Sequence, residues 1–212
     1  MKILCIGDSI TDMERNKGTE LLPYNYGVGY PFYLQGKLAV EHPGEYTVIN
    51  RGVSGNRITD VYSRIKIDCW NLEPDIICCL VGVNDLWHEI ENGNGVDPER
   101  YERFLKMTID DTLERLAGVK FVLLEPYAVS GWVTEKNPEE FKKISEYSAI
   151  VKKIADEYSF PFIPIQSDFE KYATRYGKEF CTYDGIHPQV AGSALIAEKV
   201  AAKIYELTAE KK

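Results

Sequence analysis

The chain has 212 residues, of which 44% are hydrophobic and 27% are charged, as in an ordinary globular protein. Its 33 acidic residues outnumber its 25 basic residues, which gives a formal net charge of −8. A surface with that balance repels nucleic-acid phosphates and anionic lipid headgroups, so we expect neither nucleic acid nor a membrane as a partner. The length predicts a single domain over residues 1–212.

The five cysteines show no spacing typical of a metal site, because the sequence has neither a CxxC pair nor a Cys/His cluster. Cys78 and Cys79 are adjacent in an apolar run, which predicts small buried hydrophobic residues. The GxGxxG and GK[ST] patterns of nucleotide-binding loops are missing too, so we expect no metal or other cofactor. The apolar run after Lys2 is too short for a signal peptide, and the sequence has no 18-residue apolar run, which predicts a soluble cytoplasmic protein.

Short apolar runs alternate along the chain with longer segments in which apolar residues recur at helical spacing. The apolar runs predict buried β-strands at residues 2–6, 46–50, 75–81, 120–125 and 160–165. Gly- and Asn-rich stretches predict loops at residues 15–30 and 89–97. A last amphipathic helix is predicted over residues 189–207, with Pro188 at its first position.

This alternation predicts an α/β fold with right-handed βαβ crossovers and a parallel sheet. We expect three α/β/α layers of flavodoxin-like type around a five-stranded sheet. In such folds, ligands bind at the carboxyl ends of the strands.

Polar clusters follow the ends of several predicted strands, so we expect them to meet at one edge of the sheet. They read Gly7-Asp8-Ser9, Asn50-Arg51-Gly52-Val53-Ser54-Gly55-Asn56, Val81-Gly82-Val83-Asn84-Asp85-Leu86-Trp87 and Tyr183-Asp184-Gly185-Ile186-His187-Pro188.

Two interpretations of Ser9 are open: a helix cap, or a nucleophile at the end of a strand. A serine nucleophile needs a base, and the chain has three histidines. His42 lies in a turn far from the strand ends, and His88 has no acid placed to orient it. His187 follows Asp184 by three residues across a tight turn, a spacing that lets the carboxylate reach the imidazole.

Acyl transfer also needs hydrogen-bond donors aimed at the developing oxyanion. The Ser9 N–H, the N–H of a glycine in the second cluster and the Asn84 amide could supply three. Each has a plainer interpretation: Asn84 as a strand-end turn residue, and Gly55 as a turn residue with positive φ. The coincidence of all the clusters favours the catalytic interpretation.

With these blocks in order, the chain resembles the SGNH (GDSL-type) hydrolases, a family named for a serine, a glycine, an asparagine and a histidine. The resemblance covers nearly the whole chain and implies the flavodoxin-like fold. It implies Ser9 as nucleophile, His187 as general base and then acid, and Asp184 as its orienting partner. It implies Ser9, Gly55 and Asn84 as the oxyanion hole, with Gly52 as the alternative glycine, and it implies no metal.

The segments Gly27-Val28-Gly29-Tyr30, Asn50–Asn56 and Gly82–Trp87 are similar to those of the intracellular acetylxylan esterases of this superfamily. That resemblance implies removal of acetyl groups from xylo-oligosaccharides and a homo-oligomer. It suggests Asp8, Tyr30 and Trp87 as substrate-binding residues, with the two aromatic rings as platforms for a sugar. The other interpretation of these rings is the core or a subunit interface.

The sequence thus predicts a serine esterase that deacetylates small-molecule or oligosaccharide esters through an acyl-enzyme. The alternative on the same fold is a lysophospholipase or acyl-CoA thioesterase, and a remote alternative is a non-catalytic carbohydrate-binding protein. The roles of Arg57, His88 and Glu125 stay open.

Overall fold

The computed structural model describes residues 1–18 and 22–209. Its strands form one parallel sheet in the order β2-β1-β3-β4-β5. The strands are β1 (Lys2–Gly7), β2 (Thr47–Gly52), β3 (Ile76–Leu80), β4 (Lys120–Leu124) and β5 (Phe162–Ile163). This order is that of flavodoxin-like sheets, so the predicted fold class is confirmed.

Helices fill the connections between the strands and follow the last strand. They are α1 (Ser9–Asp12), α2 (Tyr30–Glu41), α3 (Ile58–Ser63), α4 (Ile65–Asp68), α5 (Val83–Asn92), α6 (Pro98–Arg115), α7 (Pro138–Phe141), α8 (Ile144–Glu157), α9 (Gln166–Tyr176) and α10 (Val190–Ala209). Short 3₁₀ turns lie at Pro23–Tyr26, Trp70–Leu72 and Thr134–Lys136.

Helices cover the sheet on both faces, which explains why the strands are almost uniformly apolar. α2 packs against α10 on one face, while α6 packs against α3 and α8 on the other. Every residue of β3 is buried, including Cys78 and Cys79. All five cysteines are buried and free, as their place in apolar runs predicts.

The pairing register brings the strand ends to one edge. Gly7, the last residue of β1, pairs with Gly52 at the end of β2 and with Leu80 at the end of β3. The strand order reverses at β1, so the crevice between the β1 and β3 ends is the place where such sheets bind ligands.

Two of the predicted boundaries are wrong. Residues 89–92 belong to α5 rather than to a loop, because Ile90 still packs on the core. The helix ends at Asn92, and Gly93 caps it in a left-handed conformation. The last helix begins at Val190, because Pro188 pairs instead with Thr182 in a two-residue bridge. In the predicted loop 15–30, residues 19–21 lie outside the described residues, and Tyr30 is already the first residue of α2.

The described part of the chain has no helix that combines the length and the apolar character needed to cross a bilayer.

Gly52 allows α1 to lie directly against the end of β2. A Cβ atom built on Gly52 would stand 2.2 Å from the Asp12 nitrogen and 2.6 Å from the Thr11 carbonyl carbon. Those atoms are backbone, so they cannot move aside as a flexible side chain would. Glycine at this position therefore sets the distance between the sheet and the short helix that carries Ser9.

We expect Gly52→Ala to lower the free energy of unfolding by about 1–3 kcal/mol, the usual cost of overpacking. Gly36→Ala is the matched control, because Gly36 is exposed within α2 and an added Cβ meets no atom within 4 Å. That control should raise stability by about 0.5–1 kcal/mol through helix propensity. Urea unfolding measures the free energy of unfolding of both variants. Equal changes in the two variants would contradict the close contact between Gly52 and the backbone of α1.

Candidate active site

Ser9 is the first residue of α1, directly beyond the end of β1. Asp8 caps this helix, with its Oδ1 accepting the Ile10 N–H at 2.9 Å. The Ser9 N–H therefore stands at a helix start, where backbone donors have no partner within the helix. Half-buried Ser9 lines a cavity of about 300 Å³ at the carboxyl edge of the sheet.

Ser9, His187 and Asp184 form a continuous chain of hydrogen bonds. Ser9 Oγ lies 2.8 Å from His187 Nε2, and His187 Nδ1 lies 2.6 Å from Asp184 Oδ2. Because an ionised carboxylate can only accept, Nδ1 carries the proton and donates it to Asp184. Nε2 is then the acceptor for the Ser9 hydroxyl, the arrangement in which an imidazole can take the serine proton.

Asp184 is kept ionised by its hydrogen bonds. Burial raises the pKa of this carboxyl, but the hydrogen bonds from the His187 side chain and from two backbone N–H groups outweigh burial and hold the pKa below its ordinary value. These N–H groups belong to Ile186 and His187 and lie 2.8 and 2.7 Å from Oδ1.

The turn that carries Asp184 and His187 is held from outside by the segment after β4. Val129 N–H donates to the Gly185 carbonyl at 2.8 Å, and Val133 N–H donates to the Asp184 carbonyl at 3.0 Å. Gly185 has φ +101°, and a Cβ there would stand 2.6 Å from the Thr134 hydroxyl. Only glycine fits this position, which explains the tight turn between the acid and the histidine.

Two backbone N–H groups and one amide face the same cavity. Gly55 has φ +81°, and neither its N–H nor that of Ser9 has an acceptor in the parts of the chain that are described. Asn84 Nδ2 donates one hydrogen to the Asn56 carbonyl at 3.1 Å and keeps a second one. Gly52 is excluded as a donor, because its N–H already binds Asn50 Oδ1 at 2.8 Å.

Side chains around the cavity keep the Gly55 loop in place. Asp12 Oδ2 accepts both the Ser54 N–H and the Ser54 hydroxyl at 2.9 Å. Arg64 donates to Asn56 Oδ1 at 2.6 Å and to the Gly7 carbonyl at 2.9 Å. The loop is therefore attached both to α1 and to the end of β1.

α5 turns one polar face toward the cavity. Asn84, Trp87, His88 and Glu91 all line it, and their spacing of three, four and seven residues places them on one side of the helix. Tyr183 closes the other side of His187, with the two rings stacked at a centroid distance of 5.6 Å. The Trp87 ring lies 6.0 Å from the same imidazole.

Of the three residues expected to bind substrate, only Trp87 lines the cavity. The prediction for Tyr30 is wrong, because this residue is fully buried in the core at the start of α2. The prediction for Asp8 is also wrong, because only 1% of this residue is exposed and its carboxylate faces the protein interior. In both cases a polar residue beside the site points inward, to the core or to the helix start.

Of the three residues whose roles the sequence left open, one lines the cavity and two lie outside it. His88 lines the cavity. Arg57 lies outside it, where it pairs with Asp60 at 2.9 Å and donates to the Asn94 carbonyl. Glu125 caps α9 by accepting the Ile165 and Gln166 N–H groups. Glu125 lines a separate cavity of about 430 Å³ that contains none of the Ser9, His187 and Asp184 group.

Sequence reasoning assigned no role to Glu14, Glu91 or Tyr183, which also line the cavity. The role of Glu91 could have been predicted, because this residue continues the helical spacing of Asn84, Trp87 and His88. The prediction of a loop at residues 89–97 prevented this. Glu14 has no such signal, because its place depends on the turn after α1. Among the described residues, no three His, Cys, Asp or Glu side chains gather closely enough to hold a metal ion.

Comparison with known proteins agrees with this geometry. Residues 5–195 match the GDSL-like Lipase/Acylhydrolase family. An acetylxylan esterase of Geobacillus stearothermophilus is 29% identical over 209 residues, which cover 96% of this chain and 93% of that protein.

Two solved structures are similar over almost the whole chain. The acetylxylan esterase Axe2 of Geobacillus stearothermophilus has a TM-score of 0.85 at 28% identity, covering 96% of this chain and 93% of that one. LAE5, an α/β hydrolase from the metagenome of Lake Arreo in Spain, has a TM-score of 0.82 at 27% identity, covering 98% and 94%.

The protein belongs to the GDSL-like lipase/acylhydrolase family and is a GDSL (SGNH)-type esterase. The family resemblance seen in the sequence is confirmed, including its similarity to the acetylxylan esterases.

Buried Asp8 should make stability depend on pH. Burial raises the pKa of Asp8 from 3.8 to about 7, although the Ile10 N–H and the charge of His187 act in the opposite direction. Between those values the folded protein keeps a proton that the unfolded chain has lost. Stability therefore falls as the pH rises through this window.

We expect Asp8→Asn, which retains an acceptor for the Ile10 N–H, to exceed the wild type in free energy of unfolding by about 2–4 kcal/mol at pH 8. Near pH 4 the two proteins should be nearly equal. Denaturant unfolding at both pH values measures this. If the two proteins differ in free energy of unfolding by the same amount at both pH values, the difference comes from changed contacts and not from the charge of Asp8.

Proposed function

We propose that the protein removes acetyl groups from carbohydrates, in particular from acetylated xylo-oligosaccharides, through an acyl-enzyme on Ser9. The observation that carries the proposal is the pair of hydrogen bonds that link Ser9 to His187 and His187 to Asp184. Ser9 and His187 line a cavity whose wall also contains hydrogen-bond donors without an acceptor in the described part of the chain. The family provides the esterase chemistry, and the similar acetylxylan esterases point to the substrate class.

In the first half of the reaction, Ser9 Oγ attacks the carbonyl carbon of the acetyl ester while His187 Nε2 takes the hydroxyl proton. The Asp184 carboxylate stabilises the imidazolium that forms and keeps its ring in the required orientation. His187 then gives the proton to the sugar oxygen, which leaves as an alcohol. The acetyl group remains on Ser9.

In the second half, water takes the place of the sugar. His187 accepts a proton from the water as it attacks the acyl carbon, and then returns this proton to Ser9 Oγ as acetate leaves. In both halves the Ser9 N–H, the Gly55 N–H and the free Asn84 amide hydrogen bind the oxyanion. Each such donor is worth about 3–4 kcal/mol of barrier.

Axe2 supports the assignment of the nucleophile and the acid. Catalytic mutants of that enzyme carry alanine in place of a serine and in place of an aspartate. Trp87 supports a carbohydrate substrate, since an aromatic ring at the cavity wall can cover the apolar face of a sugar. Formation of a homo-oligomer, which the resemblance implies, stays a prediction.

The first test is acetate release from acetylated xylo-oligosaccharides by the wild type and by Ser9→Ala. Loss of the nucleophile should reduce the rate by at least about a thousandfold. Ser63→Ala is the matched control, because Ser63 is exposed on α3 and lies outside the cavity. It should keep the wild-type rate.

Wild-type turnover by Ser9→Ala would contradict the mechanism. A wild type that hydrolyses a simple activated acetate ester but not the oligosaccharide would retain the serine mechanism and contradict the xylan substrate. Binding of the sugar without turnover of any ester would favour the carbohydrate-binding alternative.

An acyl-length series tests the lipase and thioesterase alternative. The 300 Å³ cavity is bordered by Glu14, Asn84 and Glu91 as well as by Met13 and Trp87, so a long acyl chain that extends through it must pass charged and polar groups. We expect kcat/KM on 4-nitrophenyl esters to fall at least about tenfold from acetate to octanoate, because the longer chain must displace water from polar and charged side chains that it cannot hydrogen-bond. A rising series would favour the lysophospholipase or thioesterase.

A further inference from the structure

Two carboxylates stand at the mouth of the active-site cavity, and we call Glu14 and Glu91 the acidic rim. Glu14 lies in the turn after α1, and Glu91 lies in the last turn of α5. Both line the cavity that contains Ser9 and His187. Among the described residues that line this cavity, none is Lys or Arg.

The position of Glu14 is imposed by its backbone. Met13 and Glu14 both adopt the left-handed region, with φ of 38° and 61°, which is unusual for residues other than glycine. The turn is fixed by hydrogen bonds of 2.9 Å from Met13 N–H to the Ser9 carbonyl and from Val28 N–H to the Met13 carbonyl. Residues in this conformation cluster at functional sites, although Glu73 and Ser159 adopt it here outside the cavity.

The position of Glu91 is unfavourable for the helix that carries it. A carboxylate in the last turn of a helix opposes the negative end of the helix dipole, and the last turn of α5 has no basic residue. Glu91 nevertheless continues the cavity-facing side formed by Asn84, Trp87 and His88. Helix stability alone therefore does not explain a carboxylate there.

Both carboxylates are exposed side chains that line the cavity. In the described chain, neither Glu14 nor Glu91 makes an ion pair with Lys or Arg, whereas many other surface glutamates do. The charge of Glu14 also acts on Tyr183, which lines the same cavity. Burial, the charge of Asp184 and, to a smaller extent, the charge of Glu14 raise the pKa of the Tyr183 hydroxyl.

We propose that the acidic rim makes the enzyme select uncharged esters over esters whose leaving group carries a negative charge. The substrate class would be neutral acetylated oligosaccharides. Oligosaccharides with a uronic acid next to the ester would be disfavoured. This inference rests on the proposed function, in which the ester is cleaved at Ser9.

The physical basis is repulsion within a partly enclosed site. An anionic group next to the scissile ester must share the 300 Å³ cavity with the rim carboxylates, so the distance between the like charges is limited by the size of that cavity. At that distance two like charges repel appreciably even with partial solvent screening, and salt weakens the effect. The repulsion acts on ground state and transition state alike, so it appears in kcat/KM.

The test compares 4-acetoxybenzamide with 4-acetoxybenzoate, two acetate esters that differ in the charge of the leaving group. The measured quantity is the ratio of their kcat/KM values, neutral over anionic, in the wild type and in the double variant Glu14→Gln/Glu91→Gln. Any effect that a variant has on both esters alike cancels in this ratio. We expect the ratio to fall about fivefold at low ionic strength, and the fall to shrink in 0.5 M NaCl.

The matched control is Glu114→Gln, which removes an exposed carboxylate of α6 that does not line the cavity. It should leave the ratio unchanged, so a fall in this variant would point to net charge rather than to the rim. Glu91→Lys gives a second test, because reversal of the charge should lower the ratio further. An unchanged ratio in the double variant would overturn the proposal.

Ser9→Ala separates this inference from the proposed function. If Ser9→Ala still hydrolyses the neutral ester, the serine mechanism fails regardless of the rim. If Ser9→Ala is inactive while the rim variants keep the wild-type ratio, only the charge selection fails. Circular dichroism of each variant confirms that the compared proteins are folded.

Discussion

The in-register pairing of three strand ends determines where everything else in the site can lie. Gly7 is opposite both Gly52 and Leu80, so the segments after β1, β2 and β3 leave the sheet at the same level. Ser9, Gly55 and Asn84 follow these three ends within a few residues. Glycine at positions 7 and 52 also leaves room for α1 to lie close to the sheet.

The site combines two buried carboxylates with opposite electrostatic situations. Asp184 accepts hydrogen bonds from the His187 ring and from two backbone N–H groups and has a lowered pKa, while burial raises the pKa of Asp8 to about 7. Both influence the same imidazole, because His187 bonds directly to Asp184 and its charge lowers the pKa of Asp8. The negative charge that stabilises the histidine is thus concentrated in Asp184, where the hydrogen bonds offset the cost of burial.

Residues that follow a strand directly could be predicted from the sequence, because a buried parallel strand has a simple signal and its end has a known place. This reasoning located Ser9 and Asn84, and the spacing of Asp184 and His187 suggested their contact. It failed for Tyr30 and Asp8, since a sequence does not show whether a side chain beside a site faces the cavity or the core. It also failed for Glu91, where a Gly- and Asn-rich stretch concealed the last turn of a helix.

The sequence by itself determined the fold class, the order of the strands along the chain and the family, because apolar runs and short motifs are local patterns. The tertiary structure decided which residues share the cavity. Ser9 and His187 are 178 residues apart in the chain. Their 2.8 Å hydrogen bond depends on the turn at Asp184–His187, which hydrogen bonds from the segment after β4 hold in place. It also decided the charge at the cavity mouth, because Glu14 and Glu91 come from different elements and line the same cavity only in the folded chain.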